Sequence, residues 1–232
     1  MESEIGKNLE KIYKAIETAT ALSERPPGTV KLLGVTKQVE AEKIIKALEA
    51  GLKNFGENYV QEFISKRDSI PEEYSQEIDW HFIGHLQKNK VKYIVDNVSL
   101  IHSVDKFSLA QEIDKRSRNL GITSSVLIEV NLGGEESKSG ISADKTEKLL
   151  EEISTLDNIK VEGFMTIPPF FENPEKARPF FAKLRELRDK LSISYNSLKE
   201  LSMGMSGDYE TAIQEGATIV RIGTAIFGQR PV

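Results

Sequence analysis

The sequence predicts a single (β/α)₈ barrel in which eight parallel strands alternate with helices. Short apolar runs rich in β-branched residues recur along the chain, and a helical pattern follows nearly every one of them. The length of 232 residues is typical of one such barrel. An open doubly wound sheet is the alternative, but it favours a glycine-rich turn after the first strand, and here that turn reads Thr36-Lys37-Gln38-Val39.

The first elements illustrate the alternation. Residues 3–22 are predicted to form an amphipathic helix, because apolar side chains from Ile5 to Ala19 recur on one face. Val30–Thr36 (VKLLGVT) is a short apolar run typical of a strand buried on both faces. Glu40–Ala50 then returns to helical spacing, with Gly51 as a suitable stop.

The same alternation continues to the end of the chain. The remaining predicted strands are Lys53–Gly56, Trp80–Gly84, Ser99–Ser103, Ser124–Asn131, Lys160–Thr166, Glu200–Gly204 and Thr218–Gly223. The remaining predicted helices are Asn58–Arg67, Gln87–Val95, Lys106–Asn119, Ala143–Leu156, Pro174–Leu191 and Asp208–Glu215. We expect one barrel domain spanning residues 1–232. Only nine residues follow Gly223, which is too few for a full helix after the eighth strand. We therefore expect the N-terminal helix, within residues 1–22, to cover the barrel next to the eighth strand.

Composition excludes several classes of function. The net charge of −5 gives no overall attraction for nucleic acid or anionic lipid. The absence of cysteine removes disulfides, thiolate catalysis and cysteine-ligated metal centres. The N-terminus lacks the apolar core of a signal peptide, and no apolar run approaches the roughly 20 residues that span a bilayer. We therefore expect a soluble cytoplasmic protein that binds neither nucleic acid nor membrane.

Lys37 directly follows the first strand, at the end of the barrel where this fold builds its active sites. Burial at a barrel wall lowers the pKa of an ammonium group, and a neutral amine is the form that condenses with an aldehyde. An ordinary solvated lysine is the simpler interpretation, because the chain is rich in Lys and Arg. Position alone therefore favours the ordinary solvated lysine.

Two glycine-containing loops favour a phosphate site. The seventh strand leads into Ser206-Gly207, and the eighth carries Arg221 before Gly223-Thr224. Backbone amides ahead of a helix bind anions, and the loops after strands seven and eight are the usual phosphate site of this barrel. The alternative is that Ser206 only caps a helix and that the glycines only form turns. The position of both loops favours the phosphate site.

Polar residues after the second and third strands are weaker candidates. Asn58 is placed either to point a hydrogen-bonding group into the mouth or to cap a helix. His81 falls within a strand and is expected to be structural, whereas His85 at the rim is a weak candidate for acid–base work. Their spacing suits a metal pair on a helix, but here it spans a strand end, so we expect no metal site.

Six segments follow one another in an order that is more specific than any one of them. They are LLGVTK, FGENYVQE, WHFIGHLQKNK, GFMT, SMGMSGDYETAI and VRIGTAIFG. From about Val30 to Gly228, the chain resembles the pyridoxal phosphate homeostasis protein family. The resemblance implies a TIM barrel of the alanine racemase N-terminal type, to which the predicted N-terminal helix is an addition, and pyridoxal 5'-phosphate (PLP) as cofactor.

The resemblance also implies roles for residues at the predicted mouth. Lys37 would form a Schiff base with PLP, Asn58 would make a polar contact and Arg221 would face the pyridine nitrogen. An arginine there keeps that nitrogen unprotonated, which makes the ring a poor electron sink. The predicted cofactor-binding residues are Lys37, Asn58, Met203, Ser206, Gly207, Arg221, Gly223 and Thr224, with no catalytic residue and no metal ligand.

Three functions fit a rim lysine beside a phosphate site. The resemblance favours intracellular homeostasis of PLP by a non-catalytic monomer, with PLP-dependent apoenzymes as candidate partners. An amino-acid racemase is the alternative, but racemisation needs a base on each face of the α-carbon. The chain ends too soon after strand eight for the second domain that, by the resemblance, supplies one base in alanine racemases. A phosphosugar aldolase or isomerase is disfavoured by the order of the motifs.

Overall fold

The central feature of the fold is a closed ring of parallel strands. A computed structural model describes residues 3–134 and 139–229. Residues 1–2, 135–138 and 230–232, which the predicted domain includes, lie outside the described residues. The strands are β1 (Lys31–Val35), β2 (Asn54–Glu57), β3 (Asp79–Phe82), β4 (Leu100–Val104), β5 (Ser124–Asn131), β6 (Ile141–Ser142), β7 (Ile159–Met165), β8 (Glu200–Ser202) and β9 (Ile219–Ile222).

The pairing of β4 with β5 closes the ring. The order is β4-β3-β2-β1-β9-β8-β7-β5, and β4 also pairs with β5. All of these pairings are parallel, which requires a crossover connection between successive strands. The two-residue β6, which the sequence did not predict, only extends the end of β5. The predicted eight-stranded barrel is confirmed.

Helices surround the ring and supply most of these crossovers. The α-helices are α1 (Glu4–Leu22), α2 (Ala41–Glu49), α3 (Val60–Ser69), α4 (Glu72–Ser75), α5 (Phe107–Leu120), α6 (Ala143–Ile153), α7 (Arg178–Ser192), α8 (Tyr209–Gln214) and α9 (Thr224–Phe227). Two 3-10 helices cover Lys88–Tyr93 and Pro174–Lys176. None of the helices in the described ranges is long and apolar enough to cross a bilayer.

Two predicted helices differ from the observed elements. The helix predicted over Gln87–Val95 forms as a shorter 3-10 helix over Lys88–Tyr93, which itself buries only Val91, while Ile94 and Val95 are buried just after it. The helix predicted over Pro174–Leu191 divides into a 3-10 turn and α7. Pro179 lies in the first turn of α7, where its missing N–H costs nothing, so it favours a fresh helix start.

The apolar core has two layers, one inside the barrel and one between the barrel and the helices. Alternation along each strand directs successive side chains to the two layers. The inner cluster is Leu33, Val35, Ile83, Leu100, Leu127, Met165 and Ile219. The outer cluster is larger and includes the buried faces of α1, α3, α5 and α7.

The N-terminal helix covers the side of the barrel where only the short α9 follows β9. α1 buries Leu9, Ile12 and Ile16 and packs against α2, α8 and α9. The side chain of Asn8 donates a hydrogen bond to the carbonyl of Ile226 over 3.1 Å. The position predicted for this helix is therefore the one it takes.

Candidate functional site

Lys37 lies in the turn that follows β1, two residues after Val35. Leu33 and Val35 belong to the inner cluster, and side chains two residues apart on a strand share a face. Lys37 stands at the next position of this series, past the carboxyl end of the strand, and is half-buried. The lysine that the sequence singled out therefore lies at the mouth of the barrel.

A buried polar network centred on Glu57 holds the chain beside Lys37. The hydroxyl of Thr36 donates to Glu57 Oε1 over 2.6 Å. Lys66 of α3 donates to the same oxygen over 2.5 Å and to the carbonyl of Thr36 over 2.6 Å. The amide of Asn58 donates to the other carboxylate oxygen, Oε2, over 3.1 Å. One carboxylate thus connects the residue before Lys37 with Asn58.

Glu62 holds the turn on the other side of Lys37. Its Oε2 accepts from the amide of Gln38 over 2.8 Å and from Lys66 over 2.9 Å. Gln38 has a φ of 59°, a left-handed conformation that side chains other than glycine rarely adopt, so the turn needs such a tether. Burial would raise the pKa of Glu62, but the hydrogen bonds from Gln38 and Lys66 and the charges of Lys66 and Lys37 hold it below its usual value.

Asn58 lies beside Lys37 at the end of β2. A Cβ atom at Gly84 would lie 1.9 Å from the carbonyl oxygen of Asn58, so the chain after β3 passes this close only because residue 84 is glycine. Within the described part of the chain, the buried Oδ1 of Asn58 has no hydrogen-bond partner. Buried polar atoms are nearly always satisfied in native proteins, which makes this atom a candidate ligand contact.

Arg221 lies inside the barrel, on the same face of β9 as Ile219 of the inner cluster. Its Nη1 donates to Ser202 Oγ over 2.7 Å and its Nη2 donates to the carbonyl of Thr166 over 3.0 Å. Burial lowers the pKa of Arg221 to about 10, while Asp208 and Glu129 oppose the shift. The group stays charged at neutral pH, and within the described residues three of its five N–H donors make no hydrogen bond.

The loops after β8 and β9 present backbone amides. No hydrogen bond within residues 3–134 and 139–229 uses the amides of Ser206, Gly207, Gly223 or Thr224. Asp208 shapes the first loop, since its Oδ1 accepts from the amide of Met205 over 2.6 Å. Together with Arg221, these amides suit an anion such as a phosphate group.

Most of the predicted residues come from four neighbouring strands. The order β2-β1-β9-β8 places Asn58, Lys37, Gly223-Thr224 and Ser206-Gly207 side by side around one half of the mouth. The side chain of Met203 does not join them, because it is fully buried in the outer core, on the same face of the chain as Leu201. The binding role expected for Met203 stays a prediction.

The other half of the mouth carries acidic groups. Glu129 lies on the same face of β5 as Leu127 of the inner cluster, and Asp105 follows β4. Burial raises the pKa of Glu129 to about 7, the negative charge of Asp105 adds to the shift, and Arg221 opposes it. The mouth therefore has a half rich in hydrogen-bond donors facing an acidic half.

The two histidines considered for chemistry have different environments. His81 is buried in β3, and its Nδ1 lies 2.9 Å from His102 Nε2, in keeping with the structural role expected for it. His85 is exposed after β3. The two rings therefore lie in different environments, one buried and one exposed.

Comparison with known proteins identifies the family. Residues 8–231 match the family model for the N-terminal domain of alanine racemase. A pyridoxal phosphate homeostasis protein of Aquifex aeolicus is 52% identical over 227 residues, which cover 97% of this chain and 96% of the relative. The chain belongs to the pyridoxal phosphate homeostasis protein family. The resemblance inferred from the motifs is thereby confirmed.

Solved structures agree with this assignment. PipY of Synechococcus elongatus PCC7942, described with PLP bound, is 32% identical with a TM-score of 0.82, and the match covers 97% of this chain and 100% of that one. An alanine racemase of Clostridium difficile 630 is 18% identical with a TM-score of 0.71, covering 97% of this chain and 58% of that one. The second likeness supports the alanine racemase type of barrel and nothing beyond the fold.

Sequence reasoning missed the residues that support the site. Glu62 and Lys66 are spaced i, i+4 on α3, a visible signal for an ion pair, but nothing local shows that Glu57 joins them. Glu129 also had a signal, because it is the single charged residue in the apolar strand SSVLIEVN. A charge in such a strand is buried, and buried charges concentrate at functional sites.

Replacing Lys66 with methionine tests the buried pair. The side chain of Glu57 is 0% exposed and that of Lys66 11%, so Lys66→Met leaves a carboxylate buried without its cation. We expect the free energy of unfolding, measured by urea denaturation, to fall by about 3–5 kcal/mol. In Lys53→Met the lost pair with Glu77 is more than half exposed, and the change should stay within about 1 kcal/mol. If Lys66→Met and Lys53→Met lost the same free energy of unfolding, the pair of Glu57 with Lys66 would not act as a buried constraint.

Glu129 should make stability depend on pH. Because its pKa rises from 4.5 in the unfolded chain to about 7 in the fold, its contribution is complete below pH 4.5 and is lost as the pH rises through 7. Glu129→Gln should remove this decline, which amounts to at most about 3 kcal/mol. The measurement is the free energy of unfolding of the ligand-free protein across this range. The exposed control Glu151→Gln should keep the wild-type slope.

Proposed function

We propose that this protein binds PLP at the mouth of the barrel through a Schiff base to Lys37, and that it serves intracellular homeostasis of PLP as a non-catalytic protein. The observation that carries the proposal is the convergence of Lys37, Arg221 and the unpaired amides of two loops on one half of the mouth. PipY, a relative by structure, is described with PLP bound, and the curated relatives carry the homeostasis name.

The residues present fit the chemical groups of PLP. Ser206, Gly207, Gly223 and Thr224 offer amides and two hydroxyls to the phosphate. Arg221 offers charged donors to the ring, and the unsatisfied Oδ1 of Asn58 offers an acceptor. Each requirement of a ligand with a phosphate, a ring nitrogen and a phenolic oxygen thus has a counterpart on the donor-rich half.

PLP supplies an aldehyde that condenses reversibly with amines. Lys37, through its amine in the neutral form, would be the residue that condenses with this aldehyde, with loss of one water. The Glu57 network fixes the backbone on one side of Lys37 and Glu62 fixes it on the other. The lysine is therefore presented from a rigid wall, as a covalent anchor requires.

Arg221 favours a holding role over fast chemistry. A buried guanidinium with spare N–H donors favours an unprotonated nitrogen opposite it, because it cannot accept a hydrogen bond. A pyridine ring without a proton on its nitrogen withdraws electrons poorly. We propose that PLP-dependent apoenzymes receive the bound cofactor and that the chain acts as a monomer.

Lys37 should carry the cofactor. Borohydride reduction of the PLP-loaded protein, followed by peptide mass mapping, should add the pyridoxyl mass to the peptide containing Lys37, because this lysine ends the inner face of β1. Lys37→Arg keeps the positive charge but cannot be labelled at this position. A wild-type label on Lys88 or Lys90, in the 3-10 helix after β3, would show that the anchor is assigned wrongly.

The phosphate should dominate affinity. Charge-assisted hydrogen bonds contribute roughly 1.5–3 kcal/mol each, so pyridoxal without phosphate should bind much more weakly than PLP in a fluorescence titration. The double variant Ser206→Ala, Thr224→Ala should reduce the difference in affinity between PLP and pyridoxal. The control Thr155→Ala removes an exposed hydroxyl after α6 and should leave it unchanged. Equal affinity of the wild type for PLP and pyridoxal would show that these loops do not bind the phosphate.

Racemase turnover should be negligible. The tyrosine nearest Asn58, Tyr59, is 56% exposed, and His85 is exposed at the rim, so neither is held over the mouth as a second base. Incubation with L-alanine in deuterated water should give no more α-deuteration than free PLP gives. Formation of D-alanine would overturn the non-catalytic proposal. Exchange without inversion, lost in Glu129→Gln, would identify a one-sided reaction that uses the titrating carboxyl of Glu129.

A further inference from the structure

Four polar side chains form a continuous chain through the interior of the barrel. His81 Nδ1 lies 2.9 Å from His102 Nε2, and His102 Nδ1 lies 2.9 Å from Ser202 Oγ. The same hydroxyl accepts from Arg221 Nη1 over 2.7 Å. The chain crosses from β3 and β4 to β8 and β9, and only its last member has a place in the proposed function.

All four side chains are removed from water. Their exposed fractions are 1% for His81, 0% for His102 and Ser202, and 4% for Arg221. Imidazoles cost free energy when they are buried in an apolar barrel unless each nitrogen finds a partner. Leu100, which shares β4 with His102, shows that apolar side chains fill this interior as well. A purely packing role would not require polar side chains here.

Arg221 fixes the direction of every hydrogen bond in the chain. A guanidinium only donates, so the oxygen of Ser202 accepts from Arg221. Within the described residues Ser202 Oγ contacts only Arg221 and His102, so its buried proton has an acceptor only if it points to His102 Nδ1. His102 must then carry its proton on Nε2 and donate it to His81 Nδ1. His81 in turn carries its proton on Nε2, 3.5 Å from a carboxylate oxygen of Asp79. Every donor therefore points away from Arg221.

This direction requires a neutral His102. Burial lowers the pKa of His102 well below its usual value, and the charges of Arg221 and Lys31 lower it further. At the far end, burial raises the pKa of Asp79, but the neighbouring His81 and Ser99 bring it below its usual value. An ionised carboxylate thus lies 3.5 Å from His81 Nε2, which makes no hydrogen bond within the described residues.

We propose that His81, His102 and Ser202 are positioning residues that hold the guanidinium of Arg221 in one orientation toward the ring of the bound cofactor. Ser202 holds one terminal nitrogen and the carbonyl of Thr166 holds the other. Two such contacts define the guanidinium plane and leave its remaining donors in a fixed direction. The contact to the ring rests on the proposed function, whereas the direction of the hydrogen bonds does not.

The first test uses the ligand-free protein. The chain has only three histidines, and ¹⁵N chemical shifts distinguish the two neutral tautomers of each ring. His81 and His102 should both be in the Nε2–H form at neutral pH, with the exposed His85 as an internal reference. In Ser202→Ala, His102 should lose this fixed tautomer. A wild-type His102 with its proton on Nδ1 would overturn the proposal, whether or not the protein binds PLP.

The second test uses the PLP-loaded protein. Ser202→Ala should weaken PLP binding about tenfold, the loss expected for one hydrogen bond to a charged group. The absorbance of the bound cofactor should also gain a pH-dependent transition that the wild type lacks, because the ring nitrogen is no longer held opposite a fixed cation. Ser117→Ala, which removes another fully buried serine hydroxyl, should change neither.

Two outcomes separate this proposal from the proposed function. If Ser202→Ala and Ser117→Ala lose the same stability and keep the wild-type spectrum and pH profile, the chain only fills the barrel, and the positioning role is wrong. If the wild type forms no covalent complex with PLP, the proposed function is wrong, while the tautomers in the ligand-free protein still test the hydrogen-bond chain.

Discussion

The buried contact between Glu57 and Lys66 is the constraint on which the site depends. A carboxylate with no exposed surface is stable only with a cation and further donors around it. Lys66, the hydroxyl of Thr36 and the amide of Asn58 supply them, and they come from α3, β1 and β2. The contact therefore fixes three elements at once, and the two neighbouring site residues Lys37 and Asn58 take their positions from it.

A second polar structure inside the barrel serves Arg221 in a comparable way. The apolar inner cluster leaves the guanidinium no acceptor of its own, so the hydroxyl of Ser202 and the carbonyl of Thr166 provide two. The Glu57 network lies between strands and helix, whereas the histidine chain lies within the ring of strands. Two neighbouring strands, β1 and β9, are thus held rigid from opposite faces.

The sequence alone predicted the barrel, and it also predicted which residues lie in the loops directly after β1, β2, β8 and β9 at the mouth. Alternating apolar runs predict strands, and Lys37 extends the inner series of Leu33 and Val35, so both depend on local pattern. The histidine chain had no such signal, because His102 and Ser202 are 100 residues apart and meet only when the ring closes. The 3-10 form of the helix at Lys88–Tyr93 was not predicted, because its charged sequence has the propensity of an α-helix.

The unequal halves of the mouth explain how one small site can hold an anionic ligand in a single orientation. The loop amides after β8 and β9, which make no hydrogen bond within the described residues, would attract a phosphate to their side, while Glu129 of β5 and Asp105 after β4 face it. A ligand turned by half a circle would bring its phosphate against Asp105, whose buried Oδ1 lacks a hydrogen-bond partner among the described residues. Repulsion there would add to attraction on the other side, and the difference would favour the orientation that points the aldehyde of the proposed ligand toward Lys37.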